Sequence, residues 1–140
     1  MRRSSAVSCI GSPGRRAGAY PRVPTVSHMR FIPDIAAEVP ITPDGTLSRV
    51  LHRDDRLRLV GFAFDAGQEL TEHTAAVPVV IQALTGTLDV TAGGETVRLT
   101  PGGWVALAAS ESHTVVALQP SVLLLTMLHS QHNPLDPHAT

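Results

Sequence analysis

Residues 77–100 read VPVVIQALTGTLDVTAGGETVRLT and contain the clearest secondary-structure signals in the chain. Residues 77–84 are rich in β-branched side chains, which is typical of a strand, and the strand is expected to stop at the Thr-Gly pair that follows. Residues 87–91 and 96–100 each alternate between apolar and polar side chains, which is the pattern of a half-buried strand. Because Gly93-Gly94 supplies the positive φ angles that a tight turn needs, these two segments are predicted to form a β-hairpin.

The sequence on both sides of this stretch has the same pattern of short apolar runs separated by turns. Gly and Pro number eleven each in 140 residues, which favours short strands over long helices. Further strands are predicted at residues 56–64, 104–108, 113–118 and 121–128, and one helical turn is predicted at 34–38. A total of about seven short strands indicates an antiparallel β-sandwich or β-barrel.

Composition limits the class of protein to which this chain can belong. Its 140 residues and 14.8 kDa fit one domain, and a hydrophobic content of 43% is enough for a packed core. Cys9 is the single cysteine, so an intramolecular disulfide framework and a cysteine-based zinc cluster are excluded. No apolar run reaches the roughly 18 residues of a membrane-spanning helix, and no Gly-x-Ser-x-Gly motif marks a serine nucleophile.

Charge is unevenly distributed along the chain. All eleven basic residues are arginine, and six of them precede the first acidic residue, Asp34, so residues 1–33 carry a net charge of +6. Residues 34–140 hold five arginines and twelve acidic residues and carry −7, which gives −1 overall. Residues 1–28 are also rich in Ser, Gly and Pro and lack a hydrophobic period, so they are predicted to be disordered.

The predicted organisation has an extension at 1–28, a lead-in at 29–44, a β-barrel at 45–129 and a flexible tail at 130–140. Residues 6–10 are too short and too polar for a secretory signal, although they weakly resemble a lipobox around Cys9. An organelle transit peptide, or an upstream extension before a start at Met29, also fits the Arg-rich, acid-free composition. The low net charge and the lack of an amphipathic period argue against nucleic acid or a membrane as a partner, and we expect a cytoplasmic protein.

Two stretches of the predicted barrel resemble the two motifs of the cupin superfamily. The positions that match the family pattern are Gly67, His73, Gly86, Gly102 and His113. The positions that depart from it are Ala75, Val79, Ala108, Ser110 and Ala117. The resemblance covers about residues 45–129 and implies a cupin-type jelly-roll β-barrel (a double-stranded β-helix).

The resemblance also implies a ligand site inside the barrel mouth. Metal-binding cupins hold Fe, Mn, Zn, Ni or Cu with two histidines and a glutamate from the first motif and one histidine from the second. This chain keeps His73 and His113, whereas Ala75 and Val79 stand where the other histidine and the glutamate would be. Any divalent metal (Zn, Fe, Mn or Ni) is therefore expected to be held weakly, and Gln82 is a further candidate ligand through its amide oxygen.

Three functions are compatible with these residues. The first is a module that binds a small molecule in the barrel, oriented by His73 and His113 and assisted by Gln82. The second is a metal-dependent enzyme of the oxygenase or isomerase type, with the two histidines as metal ligands. The third is an interaction domain without a ligand, with an apolar patch formed by Val60, Phe62 and Phe64. The resemblance itself implies a homodimer.

Overall fold

The computed structural model describes residues 29–129, and the predictions made for residues 1–28 and 130–140 lie outside the described residues. The described part contains nine strands and one helical turn. They are α1 (Ile35–Glu38), β1 (Thr46–Arg53), β2 (Leu57–Phe64), β3 (Glu69–His73), β4 (Val79–Thr85), β5 (Leu88–Ala92), β6 (Glu95–Leu99), β7 (Trp104–Leu107), β8 (His113–Ala117) and β9 (Ser121–Leu128). No helix in this part is long and apolar enough to cross a membrane.

The strands form two antiparallel sheets that face each other across one core. The first sheet has five strands in the order β1-β2-β9-β4-β7, and the second has four in the order β3-β8-β5-β6. Successive strands often belong to different sheets, so the chain crosses between them as it does in a jelly roll. The core includes Phe64, Ile81, Leu88, Val90, Val115 and Leu123. The predicted all-β jelly-roll barrel is confirmed.

The predicted hairpin is present as β5 and β6. Gly93 and Gly94 join the two strands with φ angles of 58° and 79°, which are the positive values that the sequence pattern required. Asp89 lies opposite Arg98 and Val90 lies opposite Val97 in the antiparallel register. Because β5 also pairs with β8, the hairpin adds β6 as the edge of the four-stranded sheet.

Strands β1 and β3 were not among the segments predicted to be strands. Both are edge strands, β1 of the five-stranded sheet and β3 of the four-stranded sheet. Edge strands expose much of their surface, so they tolerate polar residues that blur the alternation of an interior strand. β3 reads ELTEH, and its register against β8 shifts between Leu70 and His73. This irregularity removes the period-two pattern that would have identified it.

The lead-in before β1 packs against the outer face of the five-stranded sheet. The predicted helical turn is confirmed as α1, and the Asp34 carboxylate caps it by accepting a hydrogen bond from the backbone N–H of Ala36 at 3.0 Å. Val39 follows the helix and is fully buried in a cluster with Ala63 and Val122. Gly61 makes this contact possible, because a Cβ atom there would lie 2.7 Å from a methyl group of Val39.

The two faces of β2 have opposite environments. Phe64 has no exposed surface, Val60 is 7% exposed, and Phe62 packs against the core. These three side chains face the barrel interior, so the prediction that they form an exposed apolar patch is wrong. The ring centroids of Phe62 and Phe64 lie 6.0 Å apart, because residues two apart in a strand lie on the same face.

Candidate functional site

A cavity of about 440 Å³ lies inside the barrel, at the end where β2, β4 and β8 begin. In the five-stranded sheet, Arg58 pairs with Met127 and Met127 pairs with Val79, so these residues form one row across the wall of the cavity. The apolar wall includes Val60, Phe62, Leu70, Val79, Leu125 and Met127. The polar lining residues are Ser48, Arg58, His73, Thr74 and His113.

The two histidines of the cupin resemblance meet at this cavity. His73 ends β3, His113 begins β8, and the two residues are register partners across the sheet. Their ring centroids are 4.2 Å apart with the ring planes inclined by 59°. His113 is 3% exposed and both residues line the cavity, so the predicted convergence of the two imidazoles is confirmed.

Backbone carbonyl groups fix the orientation of both rings. His73 Nδ1 lies 2.8 Å from the carbonyl oxygen of Thr71, and His113 Nδ1 lies 2.9 Å from that of Glu111. A carbonyl oxygen accepts a hydrogen bond and cannot donate one, so each Nδ1 must carry the proton. In the neutral ring, Nε2 is therefore an acceptor, and within residues 29–129 neither Nε2 has a hydrogen-bond partner. Each histidine thus has one free nitrogen for a ligand.

The electrostatic character of the cavity comes from Arg58. Its side chain lines the cavity, and its Nε atom is buried without a hydrogen-bond partner among the described residues. Among residues 29–129, no carboxylate belongs to the cavity lining. The nearby Glu72 carboxylate is exposed and accepts a hydrogen bond from the Ser112 hydroxyl at 2.6 Å, which ties it to the rim of the barrel. The cavity therefore combines a cation and two imidazoles with an apolar wall.

No role is predicted for Arg58 from the sequence, although the sequence around it indicates which face of its strand it shares. Residues 56–64 show two arginines that alternate with apolar residues, and parity places Arg58 on the same face as Val60 and Phe62. What the sequence did not reveal is that this face is the interior one. That assignment depends on how the two sheets pack against each other, which involves residues far apart in the chain.

Gln82 does not belong to the candidate site. It lies in β4 between Ile81 and Ala83, whose buried side chains are part of the core. Alternation along the strand puts Gln82 on the opposite, outer face of the sheet, and it is absent from the cavity lining. The prediction that its amide oxygen serves as a ligand in the barrel is therefore wrong.

The side chains at the two histidines offer few donors for a metal ion. Residues 29–129 contain no group of three or more His, Cys, Asp or Glu side chains placed to hold one. At the two histidines, Ala75 and Val79 contribute only apolar surface, and Arg58 adds a positive charge to the same cavity. A dication needs several donors and favours negative charge around it, so these residues do not fit the full metal centre that the resemblance implies.

The three glycines of the resemblance all occupy backbone conformations that L-residues with a side chain rarely adopt. Gly67, Gly86 and Gly102 have φ angles of 81°, 75° and 91°. They lie at the turns after β2, β4 and β6, where the chain leaves one strand for the next. The spacing of these glycines therefore reports the positions of turns in the barrel.

Solved structures with the same arrangement of strands are numerous. A conserved Streptococcus pyogenes protein of unknown function is 27% identical, with a TM-score of 0.67 over 74% of this chain and 90% of that protein. A cupin superfamily protein from Desulfitobacterium hafniense is 21% identical, with a TM-score of 0.66 over 72% of this chain and 92% of that one. An RmlC-like cupin from Desulfovibrio desulfuricans is 24% identical, with a TM-score of 0.65 over 72% and 97%.

No family model matches this sequence, and no curated protein matches it either. The assignment consequently depends on the structure: a two-sheet jelly roll, glycines with positive φ at three motif positions, and two histidines that meet inside the barrel. The neighbours that share this architecture over about nine-tenths of their length include proteins described as cupins. The chain has the fold of the cupin superfamily.

Proposed function

We propose that this chain binds a small organic molecule in its barrel cavity, where His73 and His113 orient the ligand. The observation that carries the proposal is a cavity of about 440 Å³ with a largely apolar wall and two imidazoles in its lining. Pockets for small organic molecules have volumes of roughly 300–1,000 Å³ and combine apolar walls with a few polar groups. This cavity has the size and the chemistry of that class.

The two histidines are suited to orient a bound ligand, whereas most of the binding affinity would come from other contacts. With Nδ1 bonded to a backbone carbonyl, each ring is held in one position and presents Nε2 as an acceptor for a hydroxyl or amide group. Affinity would come from contact with the apolar wall, including Phe62 and Leu125. A ligand with an apolar body and a polar group that reaches the imidazoles would satisfy both parts.

Ligand-observed NMR of the full chain with a library of small organic fragments tests this function. Ala75→Phe adds a ring at a position that lines the cavity, and we expect it to abolish the binding of fragments. Ala109→Phe adds the same ring in the exposed turn between β7 and β8 and is expected to leave fragment binding unchanged. A library without any binding fragment, or equal binding by the two variants, would contradict the proposal.

A metal-dependent oxygenase or isomerase is the second candidate. It is favoured by the carbonyl-bonded Nδ1 atoms, because histidines that ligate metals commonly donate their second nitrogen to such an acceptor. Metal analysis after reconstitution with Zn, Fe, Mn or Ni tests it, with His73→Ala and His113→Ala as variants. The donor set leads us to expect far less than one metal ion per chain, and a stoichiometric metal lost in both variants would support this candidate instead.

The interaction-domain hypothesis receives less support from the cavity. A barrel that served only for association would have no reason to keep an interior space of about 440 Å³ free of side chains. Association of two chains is compatible with ligand binding, because the cavity and the outer faces of the sheets are different surfaces. A cytoplasmic location stays a prediction.

A further inference from the structure

The charge of the cavity lining is opposite in sign to the net charge of the barrel. Residues 29–129 contain six arginines and eleven acidic residues, a net charge of −5. The cavity nonetheless contains Arg58 and both histidines, and none of its described lining residues is acidic. A neighbouring cavity of about 250 Å³, between β5, β6 and β7, is lined by Glu95 and Glu111. Of these two cavities, the one with a positively charged lining lies at the end of the barrel where the histidines meet.

Arg58 also lacks the partners that a partly buried arginine normally has. Among residues 29–129 it takes part in no ion pair or hydrogen bond of its side chain, and its Nε is buried. A buried donor without an acceptor destabilises the folded state, and an arginine fork matches a carboxylate or phosphate in two parallel hydrogen bonds. The missing acceptor is thus a group with the geometry of an oxyanion.

We propose that the ligand of this cavity is a small organic anion whose carboxylate pairs with Arg58 and whose apolar body contacts Phe62, Leu70 and Leu125. A hydroxyl group on that body would reach Nε2 of His73 or His113, which accept hydrogen bonds in the neutral form. Arg58 is then the residue that selects for charge, and the histidines select for a donor group. This inference rests on the proposed function and names its ligand class.

The register of the strands supports this division of the cavity. Arg58 and Met127 are paired on one sheet, whereas His73 and His113 are paired on the other. The cation and the imidazoles therefore approach the cavity from opposite walls. An anionic group on the first wall and a hydroxyl on the second would place the body of the ligand between the two sheets.

Matched pairs of fragments test the inference on the full chain. The probes are aromatic carboxylates such as benzoate, their primary amides such as benzamide, and the corresponding aryl phosphonates, compared by NMR and calorimetry. We expect carboxylates to bind more tightly than the amides by about tenfold or more, as one charge-assisted pair provides. The phosphonates distinguish a site for a planar carboxylate from one for a tetrahedral anion, and equal or tighter phosphonate binding would overturn the choice of a carboxylate.

Two arginine variants separate a local effect from a general effect of charge. Arg58→Gln should abolish the preference for carboxylate over amide, and Arg58→Lys should retain part of it. Arg53 is the register partner of Arg58 on β1 but is exposed and outside the cavity lining, so Arg53→Gln should keep the preference. Unfolding curves for each variant show whether it is folded.

The outcomes distinguish this inference from the proposed function. Amides that bind as tightly as carboxylates and lose binding with Ala75→Phe would overturn the choice of an anion and leave the cavity as a binding site. A carboxylate preference that survives in Arg58→Gln would also overturn the inference. If no fragment binds, or if Ala75→Phe has no effect, both proposals fail.

Discussion

At the scale of single residues, Arg58 is the residue whose position in the cavity lowers the stability of the ligand-free fold. Its buried Nε has no acceptor among the described residues, and its neighbours along the interior face are apolar. Leaving a buried donor unsatisfied costs about 1–3 kcal/mol, whereas a methionine of similar length would retain the apolar stem contacts. Selection for a ligand is one reason to keep a residue that folding alone disfavours.

Replacement of Arg58 by methionine should therefore stabilise the ligand-free protein. We expect Arg58→Met to raise the free energy of unfolding by about 1 kcal/mol in urea denaturation, because the unsatisfied nitrogen is removed. Arg53→Met is the control, since Arg53 is exposed on the edge strand and should change stability by less than about 0.5 kcal/mol. A lower stability of Arg58→Met would show that the guanidinium has a structural partner.

Gly86 is the glycine whose replacement should be most damaging. A Cβ atom there would collide with the Ser121 hydroxyl and the Pro120 carbonyl group, and the φ angle of 75° is itself unfavourable for alanine. Ser121 is fully buried and its Oγ accepts a hydrogen bond from the backbone N–H of Thr87 at 3.0 Å, so it cannot move without loss. We expect Gly86→Ala to cost about 3 kcal/mol or more in urea denaturation.

Gly67 provides the matched control for this prediction. Its φ angle of 81° is similar, but a Cβ atom built on it would meet nothing within 4 Å. Gly67→Ala should therefore cost only the backbone penalty of about 1–2 kcal/mol. Equal losses in the two variants would mean that the contact with Ser121 relaxes and that backbone conformation alone determines the cost.

The two histidines of the candidate site could be identified from the sequence, whereas Arg58 could not. His73 and His113 could be selected from the sequence because their spacing from Gly67 and Gly102 matched a known motif. Arg58 has no motif, and its interior position follows only from the packing of the two sheets, which brings together residues far apart in the chain. Gln82 lies on the face of β4 opposite Val79, Ile81 and Ala83, and only the packing of the two sheets shows that their face is the interior one.

At the scale of elements, local patterns were reliable where a strand alternates regularly between apolar and polar residues or is apolar on both faces. The hairpin β5–β6 was predicted from its alternation and its two glycines, since both the register and the turn are local. Strands β1 and β3 are edges without regular alternation, and each contains a register irregularity, between Val50 and His52 in β1 and between Leu70 and His73 in β3. The sequence therefore predicted the interior of each sheet better than its borders.

The hairpin β5–β6 should contribute a pH-dependent part of the stability. Arg98 donates hydrogen bonds from Nε and Nη2 to the Asp89 carboxylate at 2.9 and 3.1 Å, and these bonds lower the pKa of Asp89. A carboxyl group whose pKa is lower in the folded state stabilises the fold above its unfolded pKa of about 3.9. That contribution is lost as the pH falls through the folded pKa.

The stability of Asp89→Asn should therefore be lower than that of the parent chain by an amount that depends on pH. We expect a lower urea midpoint for Asp89→Asn near neutral pH and a difference that shrinks as the pH falls below about 4. Asp55→Asn is the control, because within residues 29–129 its carboxylate makes no hydrogen bond or ion pair. A difference that is independent of pH would assign the effect of Asp89→Asn to packing.

At the scale of the whole molecule, the outer face of the five-stranded sheet, which the lead-in covers at Ala63 and Val122, has no charged side chain of its own on β2, β9, β4 and β7. Parity puts Leu59, Leu124 and Val80 on this face, and Trp104 at its edge is 64% exposed. The barrel carries a net charge of −5 in residues 29–129, although the whole chain carries only −1, so the acidic parts of two barrels repel each other where they face. An uncharged face is the surface on which this repulsion is weakest.

The homodimer implied by the cupin resemblance is accordingly predicted to form through this face, with a second copy of the chain as the partner. We expect sedimentation velocity to show a dimer that dissociates on dilution, because a symmetric contact of this kind buries the same apolar side chains from both copies. Trp104→Arg introduces two charges into that contact and should give monomers. Val97→Arg, at an exposed position of the other sheet, should remain dimeric. A monomeric parent chain, or equal dissociation of the two variants, would contradict the prediction and leave the face without an assigned partner.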